Sequence, residues 1–331
     1  LRMKTAFLFG GSGYIGQYLI TRFLELNRFE AYIIFDLIPP QYFNKLPHNV
    51  QFIAHDVRYP IPDFESKINE AESWIFNLAA IHREPGHEAN EYFETNIKGA
   101  KNINEFAERT SVLNIFFTSS IAPYGKSMVV STEYSSLNPE TPYGISKKKA
   151  EEIHKKWRGN NSDKKLIVVR PSVIYGPNDI GNILRMIKAL KKGVFILPNG
   201  GHVIKAYGYV YGLVDSILFT MEKLDPEIIY NYAEYPLLNL REMTHEIKKE
   251  LHYIKPTLSL PVGLLAFIAM VFQRVNKILG LKSDIHPVRV RKAGFPTNIK
   301  PQYLIENGFE FKYGFLKSLR HWKLTAPEDF I

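Results

Sequence analysis

The apolar run Ala6 to Phe9 stops at glycines spaced three apart, Gly10, Gly13 and Gly16, in Gly10-Gly11-Ser12-Gly13-Tyr14-Ile15-Gly16. A helical pattern follows, with Ile15, Leu19, Ile20, Phe23 and Leu24 on one face. This is a strand, a glycine turn and a helix. Glycine lets the backbone turn tightly and approach a pyrophosphate, and the helix N-terminus presents free N–H groups and a positive dipole end to it. The next apolar run, Ala31 to Phe35, ends at Asp36, twenty residues after Gly16. A carboxylate at that strand tip suits the hydroxyls of an adenosine ribose and repels a 2′-phosphate, which favours NAD over NADP.

Apolar strands are expected at Thr5–Phe9, Ala31–Phe35, Val50–Ala54, Trp74–Leu78, Asn114–Thr118 and Leu166–Val169. Helical patterns lie between several of them, notably Glu91–Glu108 and Tyr143–Trp157. Continuous apolar strands alternating with helices predict an α/β fold, a Rossmann-type doubly wound parallel sheet covered on both faces. Its ligands lie beyond the carboxyl ends of the strands. From about Gly176 the alternation weakens, which predicts a smaller C-terminal substrate-binding domain. The expected division is 1–176 for the cofactor and mainly 177–331 for the substrate, with 207–235 returning to the first domain.

The fifth strand runs out through Thr118-Ser119-Ser120, and Tyr143-Gly144-Ile145-Ser146-Lys147 opens a helix after Pro142. Tyr143 and Lys147 are four apart and share a helix face. A tyrosine with a pKa near 10 is a poor base at neutral pH, but a nearby ammonium favours its phenolate. With a serine hydroxyl from the neighbouring strand end, the three groups suit removal of a proton from an alcohol while hydride leaves its carbon.

The chain contains no cysteine, which excludes disulfides, thiolate metal sites and cysteine nucleophiles. His82 and His87 follow the fourth strand without a carboxylate pair at ligand spacing, so no metal is expected. The formal charge of +9 is uneven: residues 1–179 hold 21 Lys/Arg and 20 Asp/Glu, residues 180–331 hold 21 and 13. An anionic small substrate fits this asymmetry better than nucleic acid, for which no motif is present. The chain passes from Leu1-Arg2-Met3-Lys4 straight into the first strand, with no room for a signal peptide, and a cytoplasmic location is expected. The uncharged stretch Leu260 to Phe272 is too short to span a bilayer, which takes about 20 residues. It is expected to form a buried or partly exposed helix, with contact to a membrane surface as the lesser reading.

Together these motifs resemble the extended short-chain dehydrogenases/reductases, specifically their nucleotide-sugar epimerase/dehydratase group. The resemblance is carried by Gly10-x-x-Gly13-x-x-Gly16, Asp36, Asp56-Val57-Arg58, Asn77-Leu78-Ala79-Ala80, Asn96-x-x-Gly99, Ser119-Ser120, Tyr143-x-x-x-Lys147 and Arg170-Pro171-x-x-x-Tyr175-Gly176-Pro177. It implies NAD as cofactor, held by the glycine turn with Tyr14 and Ile15, by Asp56 and Val57 at the adenine, by Leu78, Ala79 and Ala80 along the ribose and phosphates, and by Pro171 to Val173 beside the carboxamide. Asn96 would support the helix behind the site, and Lys147 would also hold the nicotinamide ribose. Ser120 would be the catalytic serine, with Ser119 beside it at the substrate. A nucleotide-diphosphate sugar is the implied substrate, with Asn182, Arg185 and Arg289 as diphosphate contacts. Lys205, which stands where the group usually shows an Arg-Asp-Tyr pattern, is a further expected substrate contact. A homodimer is expected.

Dehydratases of the group carry an Asp-Glu pair after the catalytic serine or threonine. Here Ile121-Ala122-Pro123 follows, which argues against dehydration. Epimerisation at C4 of the sugar is the expected reaction. A 4-keto-sugar reductase and a cofactor-binding module without chemistry are the alternatives.

Overall fold

The computed structural model describes residues 2–64, 67–83, 86–278 and 294–331. Its centre is a seven-stranded sheet: β1 (Thr5–Phe9), β2 (Ala31–Asp36), β3 (Val50–Ala54), β4 (Trp74–Asn77), β5 (Asn114–Thr118), β6 (Lys165–Pro171) and a late strand, β10 (Glu227–Tyr232). Every pairing is parallel, in the order β10-β6-β5-β4-β1-β2-β3. Strands such as Thr-Ala-Phe-Leu-Phe are buried at every position, as a sheet covered on both faces requires. One face packs α1 (Tyr14–Glu25) and α6 (Val210–Met221) through Leu19, Phe23, Leu213 and Ile217. The other packs α3 (Gly99–Thr110) and α4 (Pro142–Arg158) through Ile103, Phe106, Ala150 and Trp157.

The strand order reverses between β1 and β4, and the crevice at such a switch point is where this architecture binds ligands. Several element ends differ from the sequence reading. β2 includes Asp36, which pairs with Ala54; β4 stops at Asn77; β6 continues to Pro171. The helix read as Glu91–Glu108 runs as α2 (Ala89–Tyr92), a π-helical stretch Phe93–Lys98 and α3. π turns inside helices gather at functional sites, and this one carries Asn96.

After β7 (Val173–Tyr175), a second core forms around α5 (Asn182–Lys192), α7 (Leu240–Leu251) and the helix Gly314–Thr325, with Ile187, Met243 and Trp322 at its centre. Two short parallel pairs decorate it: β7 with β9 (Tyr207–Tyr209), and β8 (Ile196–Pro198) with β11 (Leu258–Leu260). Between these, α6 and β10 bring the chain back to the large sheet, β10 extending it at β6. The apolar stretch after Leu260 forms α8 (Val262–Ile278), with Ala266 and Ala269 buried and much of its other side exposed. Among the described residues, no helix is long and apolar enough to cross a membrane.

Candidate active site

The glycine turn sits at the switch point, where only glycine fits. Gly10 has φ +78°, and a Cβ there would lie 2.6 Å from the Ala79 backbone nitrogen. At Gly16 it would lie 2.3 Å from the Gly11 carbonyl oxygen. The loops after β1 and β4 therefore meet backbone to backbone, which brings Leu78, Ala79 and Ala80 against the turn. α1 starts at Gly13 with no side-chain cap and no acidic residue in its first turn, leaving its leading N–H groups for an anion. Tyr14 packs its ring 5.3 Å from that of Tyr18, under Gly176, and Ile15 is half-buried against the core.

Asp36 ties β2 to this turn. Its carboxylate accepts N–H bonds from Ser12 (3.0 Å) and Leu37 (2.7 Å). Burial raises its pKa from the ordinary value, and these two bonds oppose the rise. Tyr42, which the sequence reading did not single out, donates its hydroxyl to the Gly11 carbonyl at 2.7 Å and so covers the turn. After β3, Asp56 is clamped by Arg58, with Nη2 2.6 Å and Nε 2.8 Å from Oδ2, which holds its carboxyl below the usual range. Val57 is buried against Gly99, where a Cβ would stand 3.0 Å from Val57 Cγ2. An aspartate at the tip of β2 predicts cofactor choice: the dissociation constant for NAD should be lower than that for NADP by at least about tenfold, since like charges brought together cost several kcal/mol. Calorimetric titration with both checks this, and equal or tighter NADP binding would contradict it.

At the end of β5 the candidate catalytic residues converge. α4 begins at Pro142, with Thr141 Oγ1 accepting the Gly144 N–H at 3.2 Å. Lys147 is buried, and its Nζ donates to the Thr118 carbonyl at 2.7 Å, tying α4 to the strand end one turn after Tyr143. Burial pushes the Lys147 ammonium down to about 7, with Glu151 pulling the other way. Half-buried Ser120 accepts the Ala122 N–H at 3.1 Å. Asn96 stitches the loop after β4 to α4: it accepts the Ile81 N–H at 3.1 Å and donates to Ser146 Oγ at 2.9 Å, and Ser146 donates to the Tyr143 carbonyl at 2.8 Å. Pro171 ends β6 beside these groups, and Val173 follows it, exposed.

Ser119 turns the other way. It is buried, and its hydroxyl donates to Glu151 Oε1 at 2.5 Å, which engages it in the interior. Glu151 is paired twice with Arg170 (Nη2 2.7 Å, Nε 3.0 Å). Arg170 donates to the Tyr124 hydroxyl at 2.9 Å, which donates to Asn231 Oδ1 at 2.7 Å. This network went unnoticed in the sequence, although Glu151 follows Lys147 at the same four-residue spacing that joins Lys147 to Tyr143.

The residues expected from sequence at the substrate are more dispersed. Asn182 and Arg185 lie on the exposed side of α5. Arg185 faces Asp179, whose carboxyl burial raises to about 6 while the Gly181 N–H and Arg185 oppose it. Lys205 donates to the Phe295 carbonyl at 2.5 Å, which joins it to the segment pairing Lys205 with Thr297. Arg289 lies outside the described residues. His87 stands 3.4 Å from Glu91. Among the described residues, no cluster of three or more His, Asp or Glu side chains is placed to hold a metal ion.

The crevice suits NAD. Buried hydroxyls of Ser12, Thr118 and Ser172 have no hydrogen-bond partner in the protein, a costly state that a polar ligand relieves. The glycines leave open the space that side chains would fill, and an uncapped helix start and a strand-tip carboxylate flank it.

Comparison with known proteins agrees. The E. coli O157:H7 N-acetyl-α-D-glucosaminyl-diphospho-ditrans,octacis-undecaprenol 4-epimerase is 30% identical over 260 residues, covering 77% of this chain and 78% of the relative. The sterol-4-α-carboxylate 3-dehydrogenase (decarboxylating) of Saccharomyces cerevisiae is 25% identical over 314 residues, covering 88% of each. The fold is that of the UDP-glucose 4-epimerase of Thermotoga maritima, solved with UDP-glucose, at TM-score 0.71 and 19% identity over 97% of this chain and 99% of that one. The model of the NAD dependent epimerase/dehydratase family matches residues 6–233, from β1 through β10. That span takes in the whole large sheet and every element that shapes the crevice, and the chain is accordingly an NAD-dependent enzyme of the epimerase/dehydratase family.

Proposed function

We propose that the enzyme inverts C4 of a sugar carried on a diphosphate. The observation that carries this reading is Lys147, buried, one helical turn from Tyr143 and bonded to the Thr118 carbonyl at the end of the strand that leads to Ser120. Tyr143 is the base: its phenolate oxygen takes the proton of the sugar hydroxyl, and the Lys147 ammonium favours that phenolate. Ser120 donates a hydrogen bond to the same sugar oxygen. Bound NAD supplies the centre that takes a hydride from the sugar carbon and gives it back. Tyr143 then returns its proton to the oxygen after the keto sugar has turned over, so atoms and electrons balance and the product is an isomer of the substrate. Residues 1–176 with 207–235 hold NAD, and the rest of 177–331 holds the substrate, with Asn182, Arg185, Lys205 and Arg289 as candidate contacts.

The E. coli relative's name and the UDP-glucose bound to the Thermotoga structure share a diphosphate-linked sugar, which supports this substrate class. A nucleoside diphosphate is the first reading of the carrier. A second, a polyprenyl diphosphate, is favoured by the E. coli relative's named substrate.

Ser120→Ala should lower kcat by about 10 to 10²-fold, the worth of one hydrogen bond to a developing charge. Ser119 cannot replace it, because its hydroxyl is held on Glu151. Steady-state kinetics check this; an unchanged kcat would remove Ser120 from the reaction. The reading as a whole is tested by chromatography of UDP-, dTDP- and GDP-sugars and of a polyprenyl-diphosphate sugar after incubation with the enzyme and NAD. The 4-epimer should form with no net change in NADH. NADH formed mole for mole with a 4-keto sugar would make the enzyme an oxidoreductase of the reductase type, and no product from any of them would refute epimerisation.

A further inference from the structure

α8 is apolar on two sides. Ala266 and Ala269 are buried, and the Val262 N–H is held by Asn199 Oδ1 at 3.0 Å. On the other side, Leu264, Phe267, Ile268, Val271, Phe272 and Val275 are 44 to 58% exposed. Their spacing of three and four residues draws one continuous stripe along the helix. A helix apolar all round is normally covered, and a soluble surface would place charge where these side chains stand. The helical segment carries Arg274 and Lys277 and no acidic residue, and it lies in the half of the chain with 21 Lys/Arg against 13 Asp/Glu.

We propose that this stripe docks on an anionic phospholipid surface, with the apolar side chains in the headgroup and upper acyl region and exposed Arg274 among the phosphates. The size of the stripe decides against a second copy of the chain. A 17-residue helix is about 25 Å long and about 10 Å across, so its face offers roughly 250 Å². A stable protein interface takes about 800 Å² from each partner. A bilayer needs no such matched area, because it receives each apolar side chain individually and adds attraction to the bases. Docking here would bring the enzyme to any diphosphate-linked sugar anchored in that surface. Vesicle binding is read without sugar, so the docking and the reaction proposed above stand or fall separately.

The test is co-sedimentation of the full chain with vesicles of phosphatidylethanolamine and phosphatidylglycerol, and with vesicles of phosphatidylcholine alone. Wild type should pellet with the anionic vesicles, and added salt should weaken the binding. Phe267→Ser with Phe272→Ser should lower the affinity at least about tenfold, while thermal unfolding and NAD binding stay at wild-type values because both rings are exposed. Arg274→Glu should weaken binding to the anionic vesicles alone. Wild type that stays in the supernatant overturns the proposal, as does a double variant that pellets equally well. So does light scattering that shows a dimer lost in the double variant.

Discussion

Tyr143→Phe should lower kcat by about 10² to 10⁴-fold, the usual worth of a positioned general base. The substitution keeps the ring, which sits in the first turn of α4 at 6.1 Å from Tyr92, and removes only the hydroxyl. Packing is preserved, so thermal unfolding and NAD titration should match wild type. Lys147→Met should reduce both rate and cofactor affinity, and should also destabilise the junction of α4 with β5, because the bond to Thr118 is lost. The pair therefore separates a purely chemical effect from a mixed one. Wild-type turnover by Tyr143→Phe would show that another group takes the proton.

The buried Glu151–Arg170 pair should show the largest effect on stability. Both side chains are almost wholly removed from solvent. Arg170→Met leaves the Glu151 carboxylate buried with the Ser119 hydroxyl and the charge of Lys147 against it but without its paired guanidinium, and loss of one partner from such a pair costs about 3–5 kcal/mol. Arg170→Met with Glu151→Met removes both charges and should recover much of that loss. The pair lies between β6 and α4, directly beneath Lys147, so the single variant should also reduce the rate. Urea unfolding of the three proteins checks the order. A loss below about 1 kcal/mol for Arg170→Met would mean that water reaches the pair.

Much of this arrangement was legible in the sequence because it depends on short-range pattern. Strands buried on both faces must be continuous apolar runs, and the runs located six strands of the large sheet to within a residue or two. Gly10, Gly13 and Gly16 gave the turn, and the spacing of Tyr143 and Lys147 gave the helix face. What was not legible depends on direction and on distant contacts. Ser119 and Ser120 are chemically identical, but neighbouring residues on extended chain point to opposite sides, and only the fold shows that Ser119 faces Glu151. Arg170 stood in a recognised motif, yet its partner is 19 residues away. Lys205 read as a substrate contact, and its long side chain reaches the Phe295 carbonyl, 90 residues on. The uncharged run after Leu260 predicted a helix, but hydropathy alone could not say which side would be buried.

The most direct test of C4 inversion follows the hydrogen itself. A diphosphate-linked sugar deuterated at C4 is incubated with the enzyme in ordinary water, and the product is read by NMR. The account predicts the 4-epimer with deuterium still at C4, because the hydride leaves and returns within one site. Product carrying protium at C4, or a 4-keto sugar that accumulates with release of NADH in place of the 4-epimer, would contradict it.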